Sequence, residues 1–133
     1  MWWFSFLAQE AAEDYEMKLR QIYPDSSLPC IDLLLLGAGP DGHTCSLFPG
    51  HPLLNEKDKW VAPIDDSPKP PPCRVTLTYP VINNASCSVF AMVGAKKAEI
   101  IKTLLKDRED LPAGNIKSKE VLWIIDKSAA SLL

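Results

Sequence analysis

The stretch IDLLLLGAGPDGH, residues 31–43, decides the fold class. Five of its first six residues are apolar, and the apolar run ends at Gly37. Short apolar runs bounded by glycine are typical of strands buried on both faces of a parallel sheet. The glycine-rich loop that follows leaves such a strand at its carboxyl end, where open α/β sheets bind their ligands. We therefore expect a functional loop directly after a buried strand.

Strands and helices are predicted to alternate along the rest of the chain. Apolar runs predict further strands over 60–64, 74–78, 87–93 and 121–125. Apolar side chains at three- and four-residue spacing predict helices over 10–23 and 95–106, with shorter helices from Pro80 and after Asp126. The apolar opening, residues 1–7, suits a buried strand or a packed tail. This alternation predicts an α/β domain with a mostly parallel sheet.

Composition excludes several classes of protein. The chain has 133 residues, 47% of them hydrophobic and 23% charged, which indicates one globular domain and excludes wholesale disorder. The net charge of −3 leaves no basic surplus for non-specific nucleic-acid binding. The apolar start is too short to span a membrane and lacks the features of a secretory signal. Four cysteines without a C-x-x-C pair favour reduced thiols and a cytoplasmic location.

The glycines after the first predicted strand match the sequence pattern of a dinucleotide-binding fingerprint, but the long helix that the fingerprint requires does not follow them. Residues 37–42, GAGPDG, fit the pattern G-x-G-x-x-G. That fingerprint must open a long helix whose amino terminus receives the pyrophosphate. Here Pro49, Gly50 and Pro52 break any helix within about two turns. We therefore reject nucleotide binding for this loop.

The same loop presents two side chains suited to proton transfer. His43 is the residue type that best exchanges a proton near neutral pH, and Asp41, two residues earlier, can orient its ring. A purely structural loop histidine remains the alternative. Metal binding by Asp41, His43, Cys45 and His51 fits no standard zinc spacing. A general acid–base site is the prediction that uses both residues.

Residues 37–49, GAGPDGHTCSLFP, closely resemble the signature of 6-phosphogluconolactonases, relatives of the glucosamine-6-phosphate deaminases. Further segments resemble the family in the same order along the chain: 11–15, 51–54, 66–72, 74–78 and 94–98. The resemblance covers residues 10–133 as the carboxyl-terminal portion of a single lactonase-like α/β domain. Residues 1–9 form an unmatched apolar start.

The resemblance implies a fold and a missing part. It implies a three-layer, Rossmann-like, mostly parallel sheet with helices on both faces. The family's Gly/Ser-rich phosphate loop and its Asp-Glu-Arg segment, which precede the matched region, have no counterpart in these residues. We therefore expect a domain truncated at its amino-terminal side.

The resemblance also implies an activity and roles for residues. It implies hydrolysis of 6-phospho-glucono-δ-lactone to 6-phosphogluconate in the pentose phosphate pathway, without a cofactor or a metal. His43 would be the catalytic base that activates water, and Asp41 would orient it. Lys97 matches the lysine that reaches the substrate phosphate in the related deaminases. The remaining substrate-binding candidates are Gly39, Gly42 and Arg74.

A second function stays open beside the lactonase. Without the phosphate loop, the chain could be a non-catalytic isoform that acts, if at all, through protein association. Loss of neighbouring strands would turn residues 31–36 into a sheet edge with unpaired backbone groups, which favours self-association. Neither nucleic acid nor membrane is expected as a partner, and the expected small-molecule partner is a phosphorylated sugar lactone.

Overall fold

The computed structural model describes the backbone of residues 2–133 and the side chains from Leu7 onward. Helices and strands alternate as expected for an α/β fold. Their bounds are α1 Trp2–Ile22, β1 Leu33–Leu36, β2 Val61–Ile64, β3 Arg74–Leu77, α2 Tyr79–Asn84, β4 Cys87–Met92, α3 Ala98–Ile101 and β5 Glu120–Ile125. Short 3-10 turns lie at Pro52–Asn55, Ala95–Lys97 and Pro112–Asn115, and a π-helical turn at Lys102–Asp107 continues α3.

The parallel sheet has three strands in the order β1-β4-β5. Leu33 of β1 lies opposite Cys87 of β4, and Cys87 lies opposite Glu120 of β5. All three strands point the same way, so their carboxyl ends share one edge of the sheet. The glycine-rich loop after β1 and the Gly94 turn after β4 therefore leave the sheet side by side.

Strands β2 and β3 pair with each other rather than with the parallel sheet. They form an antiparallel pair in which Val61 lies opposite Leu77 and Ile64 opposite Arg74. Helix α1 packs against this pair, and Ala12, Leu19, Trp60, Val61 and Val81 form a small core between them. The prediction of strands over 60–64 and 74–78 is confirmed, while the sheet to which they belong is a separate one.

The larger core lies on one face of the parallel sheet. Leu34, Phe90 and Met92 point into it and meet side chains from α2 and α3, including Ile82 and Ile101. Phe90 also stacks on Trp123 of β5, with ring centroids 4.2 Å apart. Because successive side chains of a strand point to opposite faces, every second residue of these strands faces this core.

The opposite face of the parallel sheet is apolar and open. Leu35 is 74% exposed, and Leu33, Leu122, Ile124 and Val93 are also exposed. Of the described helices, α2 and α3 pack on the core face and α1 packs against β2 and β3, so none of them covers these side chains. We call these five residues the open sheet face.

Three local predictions differ from the structure. Helix α1 starts at Trp2, so residues 2–7 are helical and the strand proposed there is wrong; Met1 lies outside the described residues. Tyr15 and Ile22, which belong to the apolar spacing that predicts the helix over 10–23, are exposed because Ala8, Ala12 and Leu19 define the packed side. After Asp126 the chain forms hydrogen-bonded turns rather than a helix, although the Ala129 N–H does bond to the Asp126 carboxylate at 2.8 Å.

The predicted helix over 95–106 is divided into 3-10, α and π turns. It ends at Arg108, whose backbone is left-handed with φ 56°. The connection from there to β5 contains buried Pro112, Ala113 and Ile116. Among the described helices, none has the length and apolar character needed to cross a membrane.

Candidate active site

The loop after β1 is a compact turn held by its own backbone. The Gly39 N–H donates to the carbonyl of His43 at 2.9 Å, and the Gly42 N–H donates to the carbonyl of Gly39 at 2.9 Å. Gly42 has φ 79°, a backbone conformation that favours glycine. These contacts fold residues 39–43 back on themselves, so that Asp41 and His43 lie on the same side of the turn.

Asp41 and His43 form the pair predicted from the sequence. His43 Nδ1 lies 2.5 Å from Asp41 Oδ1, and the exposed fractions of the two side chains are 17% and 32%. Lys69 Nζ lies 2.9 Å from the same Oδ1 atom. Burial alone would raise the pKa of Asp41, but the hydrogen bonds from Lys69 and His43 outweigh burial and hold that pKa at about 2.

The ionised carboxylate determines which nitrogen of His43 can act as a base. A carboxylate can only accept hydrogen bonds, so the proton between Asp41 and His43 belongs to Nδ1 of the ring. In the neutral ring, Nε2 then carries the lone pair. No described residue hydrogen-bonds to Nε2. The geometry therefore assigns His43 the tautomer that a general base requires.

Gly39 and Phe48 fix the position of the His43 ring. A Cβ on Gly39 would lie 2.1 Å from His43 Cε1 and 2.2 Å from Nδ1, so only glycine leaves room for the ring there. The Phe48 ring, which is 1% exposed, has its centroid 4.6 Å from that of His43. The Ser46 N–H donates to Thr76 Oγ1 of β3 at 3.1 Å and ties the end of the loop to the hairpin.

The other predicted substrate contacts lie near this loop and already have protein partners. Lys97 Nζ donates to the carbonyl of Ala38 at 2.8 Å, which brings the turn after β4 against the loop after β1. Gly39 and Gly42 use their N–H groups inside the turn. The structure thus gathers these residues at one edge of the sheet, and their contacts with substrate stay predictions.

Arg74 is held by the proline-rich segment, residues 67–72. Its guanidinium donates to the carbonyls of Pro71 at 3.0 Å, Lys69 at 2.8 Å and Pro70 at 3.0 Å. It also lies 5.4 Å from the centroid of the Phe48 ring. Arg74 lies near the Asp41–His43 pair, and the contacts that it makes in the structure hold residues 67–72 in place; its contact with substrate stays a prediction.

Lys69 is the residue of the site that the sequence analysis did not single out. It stands among prolines in SPKPPP, within the stretch 66–72 that resembles the family. Its partner Asp41 lies 28 positions earlier in the sequence, and only the tertiary fold brings the two together.

Other features of the described chain lie away from this pair. The larger of two described cavities, about 720 Å³, lies between α1 and β2 and is lined by residues such as Ala12, Glu16, Val61 and Pro63. Among the described residues, no cluster of three or more His, Cys, Asp or Glu side chains could hold a metal ion. His51 bonds to Asp66 at 2.9 Å and accepts the Leu53 N–H at 3.1 Å, so it stabilises its own loop.

Comparison with known proteins assigns this arrangement to a family. The family described as glucosamine-6-phosphate isomerases/6-phosphogluconolactonase matches residues 5–123. The chain belongs to this family. The resemblance of the glycine-rich loop to the family signature is thereby confirmed.

Individual relatives match over nearly all of this chain. The human 6-phosphogluconolactonase is 55% identical over 129 residues, covering 94% of this chain and 50% of the human protein. The probable 6-phosphogluconolactonase 2 of Arabidopsis thaliana is 50% identical, covering 95% of this chain and 52% of that protein. The chain therefore spans about half the length of the curated relatives it matches.

Solved structures show the same fold. The 6-phosphogluconolactonase from Trypanosoma cruzi superposes with a TM-score of 0.77 at 30% identity, covering 95% of this chain and 52% of that one. The enzyme from Trypanosoma brucei gives a TM-score of 0.74 at 30% identity, covering 93% and 53%. The predicted α/β fold with a parallel sheet is thus confirmed.

Proposed function

We propose that this chain forms the acid–base part of a 6-phosphogluconolactonase site and hydrolyses 6-phospho-glucono-δ-lactone to 6-phosphogluconate. The observation that carries the proposal is the ionised Asp41 carboxylate bonded to His43 Nδ1, which leaves Nε2 as the base. The names of the relatives support the substrate class. No cofactor is required by this chemistry.

The reaction needs one residue to take a proton and return it. His43 Nε2 takes a proton from water, and the resulting hydroxide attacks the lactone carbonyl to give a tetrahedral intermediate. The bond between the carbonyl carbon and the ring oxygen then breaks, and the imidazolium gives its proton to that oxygen as a hydroxyl. Asp41 stabilises the imidazolium between the two steps, because its charge faces Nδ1.

Substrate placement is the second part of the proposal. We infer that Lys97, held beside the glycine-rich loop by the Ala38 carbonyl, turns toward the phosphate of the substrate. Arg74 lies at the same edge of the sheet. Gly39 and Gly42 contribute by shaping the loop, because their missing side chains leave room for the His43 ring and for Leu111. The protein is proposed to act in the cytoplasm with its cysteines reduced, in keeping with the four free cysteines of the structure.

The decisive experiment replaces the base and keeps a matched control. His43→Asn should lower the rate of lactone hydrolysis by roughly 10²–10⁴-fold, the usual contribution of a general acid–base group. His51→Asn is the control, since His51 is the other histidine of the chain and bonds outside the site. The assay is run on the purified 133-residue chain after subtraction of spontaneous ring opening. Equal rates for the parent and His43→Asn would overturn the proposal.

The open sheet face supports a second candidate function, association between copies of the chain. Among the described residues β1 is an edge strand, and its Leu33 and Leu35 side chains are exposed. Exposed apolar strands at a sheet edge favour pairing with another chain. This function needs no intact substrate site.

A charge on the open sheet face tests the second function. Leu35→Lys should shift sedimentation velocity profiles of the parent from larger species toward the monomer. Met17→Lys is the matched control, because Met17 is also exposed, at 52%, but lies on α1 away from the parallel sheet. A parent chain that sediments as a monomer at all concentrations contradicts the association function and leaves the lactonase proposal untouched.

A further inference from the structure

We propose that Lys69 is a positioning residue for His43, acting through Asp41, and that Arg74 holds the segment that delivers it. This inference rests on the proposed function, because it assigns how the base of that site is kept in place. It concerns the Lys69–Asp41 contact of 2.9 Å and the anchoring of residues 67–72.

The Asp41 oxygen that orients His43 has two donors. Oδ1 accepts from His43 Nδ1 at 2.5 Å and lies 2.9 Å from Lys69 Nζ. A carboxylate oxygen has two lone pairs in its plane, so both donors can be accommodated at once. With a single donor, the carboxylate could rotate about its terminal torsion, which is broad for Asp. The second donor fixes that rotation and hence the direction in which the imidazole is held.

The backbone of Lys69 is held from both sides. Ser67 Oγ donates to the Lys69 carbonyl at 2.8 Å and accepts from the Lys69 N–H at 3.3 Å. The Ser67 N–H donates to the Pro72 carbonyl at 3.1 Å, which closes the segment. Arg74, at the start of β3, adds its bonds to the carbonyls of residues 69–71. The Lys69 side chain therefore extends from a backbone that is held by hydrogen bonds on both sides.

The charges around Asp41 leave this role to Lys69. Lys69 and His43 are the cationic or potentially cationic groups that bond to its carboxylate. Lys97 and Arg74, the other cations placed at the site, each give hydrogen bonds to backbone carbonyls instead. The thiol of Cys45, on the same loop, carries no positive charge. Removing Lys69 therefore removes the cation that is bonded to Asp41.

The test reads the Asp41–His43 pair directly, so it does not depend on turnover. Carbon-13 NMR titration of the Asp41 carboxyl and nitrogen-15 NMR of the His43 ring are recorded on the whole chain. Lys69→Met should raise the pKa of Asp41 from about 2 toward its ordinary value of 3.8 and mix the two ring tautomers. Lys96→Met is the control, because Lys96 is exposed on the turn beside Lys97. If Lys69→Met leaves both signals as in the parent, the inference is wrong.

A double-mutant cycle tests whether Arg74 acts through Lys69. Arg74→Gln should reproduce the Lys69→Met change at Asp41, and the double variant should show no further change, because both remove the same contact. Additive changes would overturn the anchoring role. Should Arg74→Gln fail to fold, Arg74→Lys, which keeps the charge but loses the planar set of donors, gives the same comparison.

Kinetics separate positioning from substrate contact. Lys69→Met should lower kcat by about 10-fold, within the 10²-fold that a displaced catalytic group can cost, and leave KM unchanged. A rise in KM alone would make Lys69 a substrate contact and contradict the inference. If the His43→Asn variant is inactive while Lys69→Met matches the parent in every measurement, the proposed function stands and this inference fails.

Discussion

The absence of a side chain at residue 39 determines where the His43 ring lies. Gly39→Ala places a methyl group about where His43 Cε1 and Nδ1 now lie, at 2.1 and 2.2 Å. The ring must move away from Asp41, and we expect lactone hydrolysis to fall by up to about 10²-fold. The nitrogen-15 signals of the His43 ring should report the lost bond in the same variant.

Gly37→Ala is the matched control for that prediction. A Cβ on Gly37 would meet no atom within 4 Å. We expect its activity to equal that of the parent and its free energy of unfolding to change by less than about 0.5 kcal/mol. Equal losses in the two variants would show that the loop resists any added methyl group and that the His43 contact is not special.

The charge of Asp41 predicts how acid affects stability. The pKa of Asp41 is lowered from 3.8 to about 2 in the folded chain. Its contribution to stability is therefore fully present above pH 3.8 and is lost as the pH falls through about 2. Urea unfolding of the parent and of Asp41→Asn should differ most above pH 4, and the difference should shrink between pH 4 and pH 2. A difference that stays constant over that range would contradict the assignment.

For individual residues, the sequence predicts Asp41 and His43 on the glycine-rich loop but does not predict that Lys69, from a distant segment, contacts Asp41. Asp41 and His43 are two positions apart on a loop whose glycines and place after a strand mark it as functional. Lys69 reaches the same carboxylate from a segment whose path depends on Arg74. No local pattern encodes that meeting, because it depends on how the β2–β3 pair sits against the loop.

At the scale of elements, one carboxylate joins α1 to the β2–β3 pair. Glu16 Oε2 accepts the N–H groups of Trp60 at 2.9 Å and Val61 at 3.1 Å, while Oε1 pairs with Arg20 at 2.7 Å. The Arg20 guanidinium lies 4.1 Å from the centre of the Trp60 ring. Burial raises the pKa of Glu16, but these donors outweigh burial and lower it below 4.5. The charged acceptor thus binds the N–H of Trp60, which directly precedes β2, and the N–H of Val61, the first residue of β2.

Removing the Glu16 carboxylate should weaken the packing of α1 against the β2–β3 pair. Glu16→Ala leaves the Trp60 and Val61 N–H groups without their partner, and we expect the free energy of unfolding to fall by about 1.5–3 kcal/mol. Glu10→Ala, at an exposed position of the same helix, is the control and should change it by less than about 0.5 kcal/mol. Equal effects in a urea titration would contradict this role of Glu16.

Strands were easier to predict than their partners. The runs around Leu33–Leu36, Cys87–Met92 and Glu120–Ile125 are continuous and apolar, and each is a strand of the parallel sheet. The strands near 60–64 and 74–78 were also found, but their pairing with each other depends on long-range packing against α1. The breaks in the helix after β4 had no sequence signal, because its apolar spacing suits one continuous helix.

At the scale of the whole molecule, the two faces of the parallel sheet have opposite character. One face packs against α2 and α3, and the other is the open sheet face. The composition of the chain gives no hint of this division, because apolar residues point alternately to both sides of each strand. The fold class was therefore predictable, while the uncovered face became visible only in the structure.

Strand β1 has one bonded neighbour among the described residues and bears the glycine-rich loop at its carboxyl end. The loop that carries Asp41 and His43 follows directly from this edge strand. A protein segment that paired with the free edge of β1 would make the strand and the start of the loop more rigid, and a weaker pairing would leave them more mobile. Hydrogen exchange at the β1 amides should therefore report how rigidly the Asp41–His43 pair is held.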